Sequence, residues 1–218
     1  MKTFKLSPSS LSLLKECPRC FWLTQHGVWR RPSGPFPSLP SGMDRILKKH
    51  FDRFALRGIL PPELKERSIF SKIKLFNDLK QLDIWRNNRK GVSYTDREGN
   101  VLHGAIDNLL VLDNKGIVLD YKTRGYPLKE DTHEHYQLQL DVYNFLFEKN
   151  GRAMEDFAFL VFYIPKEVTE TGEVIFDTAI KKMSVNSKRA QEFWEKALDV
   201  LKGECPEKGC EWCQGVVV

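Results

Sequence analysis

The chain has 218 residues, 41% of them hydrophobic and 29% charged, and a formal net charge of +5. At about 150 residues per domain this length suits one folded unit with an appended lobe, and the composition excludes disordered and collagen-like chains. No run nears the roughly 18 apolar residues that span a bilayer, and the opening residues lack a signal peptide's apolar segment, so a cytoplasmic protein with no membrane contact is expected.

The charge is unevenly placed. Residues 1–100 hold 20 Lys and Arg against 9 Asp and Glu, whereas residues 101–218 hold 14 against 20. A basic half joined to an acidic half suggests that one attracts a polyanion while the other supplies carboxylates.

In chain order, Ser7-Pro8-Ser9-Ser10 reads as a capped helix start, and Leu11, Leu14, Phe21 and Trp22 carry that helix to about residue 26. The Pro-, Gly- and Ser-rich residues 31–40 form a loop. A second helix over 41–57 buries Met43, Ile46, Leu47, Phe51 and Phe54, and Gly58 with Pro61-Pro62 ends it. Residues 65–90 are basic and partly helical. The period then shortens to a strand over 92–95, a turn at 96–100, and β-rich runs over 101–112 and 117–122 separated by Asp113-Asn114-Lys115-Gly116. A helix over 132–149 sets Tyr136, Leu140, Tyr143 and Phe147 on one face, and an apolar strand over 157–164 is closed by Pro165. A strand over 174–183 and a helix over 187–201 follow. The order predicts an α/β protein with a mixed central sheet flanked by helices, the 132–149 helix serving as the crossover to a parallel strand. Residues 1–90 read as a helical, basic lobe of one domain, 91–202 as its core and 203–218 as a Cys-rich tail.

The five cysteines are Cys17, Cys20, Cys205, Cys210 and Cys213, with none in the 184 residues between Cys20 and Cys205. Cytosolic chains do not normally use disulfides. The pairs Cys17-Pro18-Arg19-Cys20 and Cys210-Glu211-Trp212-Cys213 supply the four thiolates of a tetrahedral zinc ion or a cubane iron–sulfur cluster. A metal held there clasps the first helix to the tail.

The chemistry concentrates at Gly104-Ala105-Ile106-Asp107 and Ile117-Val118-Leu119-Asp120-Tyr121-Lys122. Residues two apart on a strand share a face, so Asp120 and Lys122 project together, and a hairpin brings Asp107 alongside. Two carboxylates beside an ammonium make a hard-metal site suited to Mg²⁺ or Mn²⁺. Such an ion activates water toward a phosphodiester, and Lys122, kept cationic by its acidic neighbours, steadies developing negative charge.

These residues resemble the RecB-like branch of the PD-(D/E)XK nucleases. Asp120-Tyr121-Lys122 is similar to that family's central-strand triplet, and Gln139 and Tyr143, four apart on one helical face, to its QxxxY motif. The Ser-Pro-Ser-Ser start and the cysteines resemble those of AddB-type and CRISPR-associated RecB-like exonucleases with an iron–sulfur clasp. The resemblance implies a restriction-endonuclease-like fold. It also implies a Mg²⁺- or Mn²⁺-dependent DNA nuclease favouring single strands, with helicase or CRISPR-type partners. Asp107, Asp120 and the Tyr121 backbone carbonyl then bind metal, while Lys122, Gln139 and Tyr143 serve catalysis. The family's helix histidine falls at Ile46, leaving His50, one turn on, as substitute ligand. The resemblance favours a 4Fe–4S cluster over a structural zinc ion; the paired spacing assigns it Cys17, Cys20, Cys210 and Cys213, the set preferred here, whereas the family pattern takes Cys205 in place of Cys20.

His103 adjoins the motif glycine, while His133 and His135 gain no role. Trp85, Arg86, Arg89 and Lys90 combine an aromatic with cations and are candidates for stacking on a base and holding phosphates. Competing with the nuclease reading is a catalytically inactive nuclease fold kept as a nucleic-acid-binding or interaction module, and, third, a zinc-stabilised module.

Overall fold

Proline and cysteine divide the N-terminal segment. The computed structural model, which describes residues 2–65 and 67–217, opens with a short strand, β1 (Lys5–Leu6). Two helices follow, α1 (Pro8–Glu16) and α2 (Pro18–His26), where the sequence pattern suggests one. Pro18 explains the break, because a proline disfavours helical backbone at the residue before it. Cys17 is accordingly extended, with φ −157° and ψ 108°, and its thiol caps α2 by accepting from the Cys20 N–H.

The next helix, α3 (Ser38–Leu56), starts ahead of residue 41 because Pro40 fits within a first turn, where no intrahelical donor is needed. A short α4 (Pro62–Lys65) follows. The basic stretch then yields a two-residue strand, β2 (Lys74–Leu75), and α5 (Leu79–Arg86), capped by Asp78. Beyond it lie β3 (Val92–Thr95), β4 (Val101–Gly104), β5 (Asn108–Leu112) and β6 (Lys115–Thr123). The β-rich run over 101–112 is therefore interrupted, and its halves belong to different sheets. Asp113 and Asn114 both take positive φ, 47° and 68°, in the tight turn joining β5 to β6.

A 3₁₀ turn over Thr132–Tyr136 leads into α6 (Gln137–Lys149), so the expected 132–149 helix has a tighter first turn. The strand β7 (Phe157–Val168) runs through Pro165 instead of ending there; its register against β8 (Val174–Ser184) shifts between Pro165 and Glu167, an irregularity that tolerates a residue without an N–H. The last helix is α7 (Ser187–Lys202).

Both sheets are mixed. One has three strands in the order β1-β4-β3, the other five in the order β2-β5-β6-β7-β8, with β6 and β7 parallel across the α6 crossover. The first 90 residues place a strand in each, so the basic N-terminal part is woven into both sheets.

Alternation along β6 divides the interior. Ile117, Leu119 and Tyr121 pack with Met43, Leu47 and Phe51 of α3, while Val118 packs with Leu140 and Tyr143 of α6. Asp120 and Lys122 share the parity of Val118 and so face α6. Opposite them, Gly104 lets β4 approach α6 closely: a Cβ there meets Tyr143 Cε1 at 2.6 Å. Gly104→Ala is expected to lower stability by about 1–3 kcal/mol through overpacking, measured by denaturant unfolding.

Candidate functional site

The site forms where β6, the segment before β5, α3 and α6 converge. Asp120, 2% exposed, lies on β6 at the centre of the five-stranded sheet. Lys122 Nζ stands 2.6 Å from Asp120 Oδ2 and donates to Gln139 Oε1 at 3.1 Å. Gln139 Nε2 donates to Asp120 Oδ1 at 3.3 Å and to the Tyr143 hydroxyl at 2.8 Å. The ammonium of Lys122 also lies 4.4 Å from the centre of the Tyr136 ring, a cation–π contact. Asp107 enters from the other side, its Oδ2 accepting from the Tyr121 N–H at 2.8 Å. Its main-chain carbonyl is gripped by Arg86 Nε at 2.7 Å.

Two further residues complete the cluster. Lys48 Nζ lies 3.2 Å from Asp107 Oδ1 and 2.8 Å from Asp44 Oδ1. Both come from α3, where Asp44, Lys48 and Asp52 form an i, i+4, i+8 row beside the buried row Met43, Leu47, Phe51 and Ala55. That adjacency was the available signal, but an Asp–Lys pair one turn apart looks like ordinary helix surface.

Electrostatics follow from burial. Desolvation, then repulsion from Asp120, pushes the Asp107 carboxyl up from 3.8 to about 7, although Lys48, the Tyr121 N–H and Lys122 oppose the shift. Asp120 is likewise raised by burial against the pull of Lys122. Burial works against charge on Lys122, yet Asp120 and Asp107 outweigh it and hold its pKa above the usual lysine value. Tyr143 is raised by burial and by the nearby Asp120, so its hydroxyl remains protonated and can donate or accept.

The other expected residues lie elsewhere. His50 turns from the acidic group toward Glu63, with Nε2 3.0 Å from Oε1, and the Tyr163 hydroxyl donates to the same oxygen at 2.8 Å. Trp85 packs against Phe76 and Phe147 with Arg152 over its ring, and Arg86 turns inward to Asp52, its side chain 7% exposed. Both therefore support the core from within. Arg89 and Lys90 are exposed, their N–H groups tied to Asn87 Oδ1. His103 lies on β4, where burial and then Lys5 hold its pKa down. His133 and His135 sit in the 3₁₀ turn before α6. His103, His135, Tyr136, Gln139 and Tyr143 share with Ser7 the border of an open groove of about 600 Å³.

A second constellation joins the chain's two ends. Cys17, Cys20, Cys210 and Cys213 place their sulfurs within 4.8 Å of one another, with Cys17–Cys213 at 3.8 Å, Cys20–Cys210 at 3.5 Å and Cys210–Cys213 at 3.9 Å. Cys205 stands outside this group, its sulfur 3.4 Å from Arg19 Nη1. Arg19 also donates to the Pro206 and Val216 carbonyls at 2.8 and 2.7 Å, pinning the tail on α2. Arg31 donates to Cys20 Sγ at 3.3 Å. Burial pushes the Cys20 thiol up to about 12. Burial also opposes the Cys210 thiolate, but the Trp212 N–H and neighbouring thiols bring it down to about 6.

A family model of the PD-(D/E)XK nuclease superfamily matches residues 5–215. The chain belongs to that superfamily. A search of curated proteins finds no match. The crystal structure of SSO0001 is similar with a TM-score of 0.48 and 13% identity, covering 92% of this chain and 78% of that chain. The PD-(D/E)XK superfamily uses divalent metals, and the acidic group here fits one. Its donors are hard carboxylate oxygens, and both central carboxyls are raised chiefly by burial. Asp120 Oδ2 is buried and faces the Lys122 ammonium at 2.6 Å. Asp107 and Asp120 supply those oxygens, next to the Tyr121 backbone. The four sulfurs fit a metal too, since a Zn–S length of about 2.3 Å gives tetrahedral S–S edges of about 3.8 Å.

The raised Asp107 carboxyl predicts a pH dependence. The folded state holds that proton more tightly than the unfolded chain, so this contribution to metal-free stability is complete below 3.8 and lost as pH rises through about 7. Added Mn²⁺ is expected to raise the melting temperature strongly at pH 8 and progressively less as pH falls through 7, because protonated Asp107 competes with the ion. Thermal unfolding across that range measures both slopes.

Proposed function

We propose that the protein is a Mg²⁺- or Mn²⁺-dependent deoxyribonuclease that hydrolyses phosphodiester bonds from strand ends, favouring single-stranded DNA. Family membership carries the coarse statement, metal-dependent nuclease; the meeting of Asp107, Asp120, Lys122 and Gln139 around a buried carboxylate supports hydrolysis at a metal, and the RecB-like resemblance supports the preference for single strands and their ends. A bound divalent ion supplies Lewis acidity at the phosphodiester and a more acidic water.

The chain's own groups do the rest. Asp107 and Asp120 bind the ion, with the Tyr121 carbonyl as a further ligand. Lys122 stays protonated and offers its charge to the oxygens that gain negative charge as the water attacks, a role its elevated pKa suits better than proton abstraction. Gln139 fixes the ammonium through Oε1 and Asp120 through Nε2, and Tyr143 orients Gln139. The groove bordered by Ser7, Tyr136 and Gln139 adjoins the acidic group through Gln139 and is the path this reading gives to a single strand. The RecB-like resemblance, AddB-type and CRISPR-associated exonucleases included, suggests a cytoplasmic role in DNA repair, recombination or CRISPR-type processing beside a helicase or CRISPR-type partner.

With Mg²⁺ or Mn²⁺, end-labelled single-stranded DNA is expected to be shortened progressively from one end, and Asp120→Ala and Lys122→Ala to cut cleavage by about two orders of magnitude or more. Undiminished cleavage in both variants removes the assignment. Salt-sensitive DNA binding without cleavage under either metal favours the inactive binding module.

For the clasp we infer a single tetrahedral zinc ion on Cys17, Cys20, Cys210 and Cys213, whose S–S edges of about 3.8 Å are close to the separations of Cys17–Cys213, Cys20–Cys210 and Cys210–Cys213. Metal analysis is expected to find one zinc per chain, lost in Cys17→Ser with a lower melting temperature and retained in Cys205→Ser. A brown anaerobic preparation containing iron and sulfide decides for the 4Fe–4S cluster of the resemblance instead.

A further inference from the structure

Lys122 is not the only ammonium at the acidic group, and the two lysines are held in different ways. Lys122 is fixed from three sides, by Asp120, Gln139 and the Tyr136 ring. Lys48 is fixed by carboxylates alone: Asp107 Oδ1 at 3.2 Å, and the two oxygens of Asp44 at 2.8 and 2.9 Å. Asp107 Oδ2 is already committed to the Tyr121 N–H. Its other oxygen, the one left for a metal, is the oxygen Lys48 occupies. Asp44 lies on the same helix, with its side chain 43% exposed, so Lys48 keeps a full ionic partner if it leaves Asp107. Withdrawal therefore strands no buried charge.

Resting on the reading that Asp107 and Asp120 bind a divalent ion, we propose that Lys48 is a tethered counter-ion of that site. In the metal-free protein its ammonium offsets the charge of Asp107; when the ion binds, Lys48 moves back onto Asp44. The charges support the exchange. Asp44, Asp107 and Asp120 set three negative charges against the two positive charges of Lys48 and Lys122. A divalent ion makes the group net positive, which favours an anionic phosphodiester. The device keeps the acidic group folded before an ion binds, at the cost of metal affinity, since a like charge a few ångströms away opposes the incoming ion. It also makes Lys48 a positioning residue: it acts on the metal through Asp107.

The test needs no turnover. Mn²⁺ binding to the full chain, followed by calorimetry, is expected to be about tenfold tighter in Lys48→Met than in wild type, with a lower melting temperature without metal that recovers when Mn²⁺ is added. Lys48→Arg keeps the charge and is expected to bind Mn²⁺ like wild type; Lys48→Gln is the second neutral variant should the methionine fail to fold. Asp107→Ala serves as the control for the site. If wild type binds Mn²⁺, Asp107→Ala does not, and the neutral variants bind no more tightly than wild type, the counter-ion role is overturned while the metal site stands. If neither wild type nor the neutral variants bind Mn²⁺, the metal reading falls and the proposal with it.

Discussion

A carboxylate withdrawn from water imposes its terms on everything near it. Asp120 sits on the central strand with 2% exposure, and an ionised carboxylate there must be met by positive charge or give up its own. Lys122 meets it in an ion pair at 2.6 Å, and Gln139 satisfies its second oxygen while binding the same lysine. Asp107 then adds a second negative charge to a place that already resists the first. The strain is electrostatic rather than conformational. A doubly charged ion relieves it most directly, and in that sense the protein's affinity for metal is a property of the sheet's interior.

The fold supplies each partner from a different direction. The alternation of β6 turns Asp120 and Lys122 toward α6 and Tyr121 toward α3, where its ring lies 4.7 Å from that of Phe51. The crossover between the two parallel strands is α6 itself, which brings Gln139 and Tyr143 over the strand end. Arg86, from α5, holds the main chain at Asp107, with its own charge answered by Asp52 of α3. Thus α3 reaches the site twice, through Lys48 on the acids and through Asp52 on the arginine that positions one of them.

How much of this the sequence reveals depends on how unusual each residue is in its setting. Asp107, Asp120 and Lys122 stand out because charge within apolar strands is costly and rarely accidental. The CxxC pairs stand out because thiols cluster at the chain's extremes. Lys48 and Asp44 do not: on a helix rich in charge, an i, i+4 ion pair is commonplace, and only tertiary packing turns that row inward. The opposite ambiguity arises at Trp85 and Arg86, where a string of aromatic and basic residues looks like a surface for nucleic acid but half of it packs inward. Pro165 shows a third kind of ambiguity, since a proline read as the end of β7 is instead accommodated at a register shift. In each case the missing information is which side of an element meets the rest of the chain.

The thiolate clasp closes a contact between residues 196 apart, Cys17 and Cys213. Loop closure over such a span costs only slightly more entropy than over a short one, because the cost grows with the logarithm of length. A staple that encloses nearly the whole chain therefore withdraws conformational freedom from almost every residue of the unfolded state at once. It is also late by construction: Cys17 and Cys20 wait for partners that leave the ribosome long after them, and neither pair alone makes a complete tetrahedron. A metal retained at the clasp would thereby report whether the intervening sheets have been built, a check on the integrity of the fold they form.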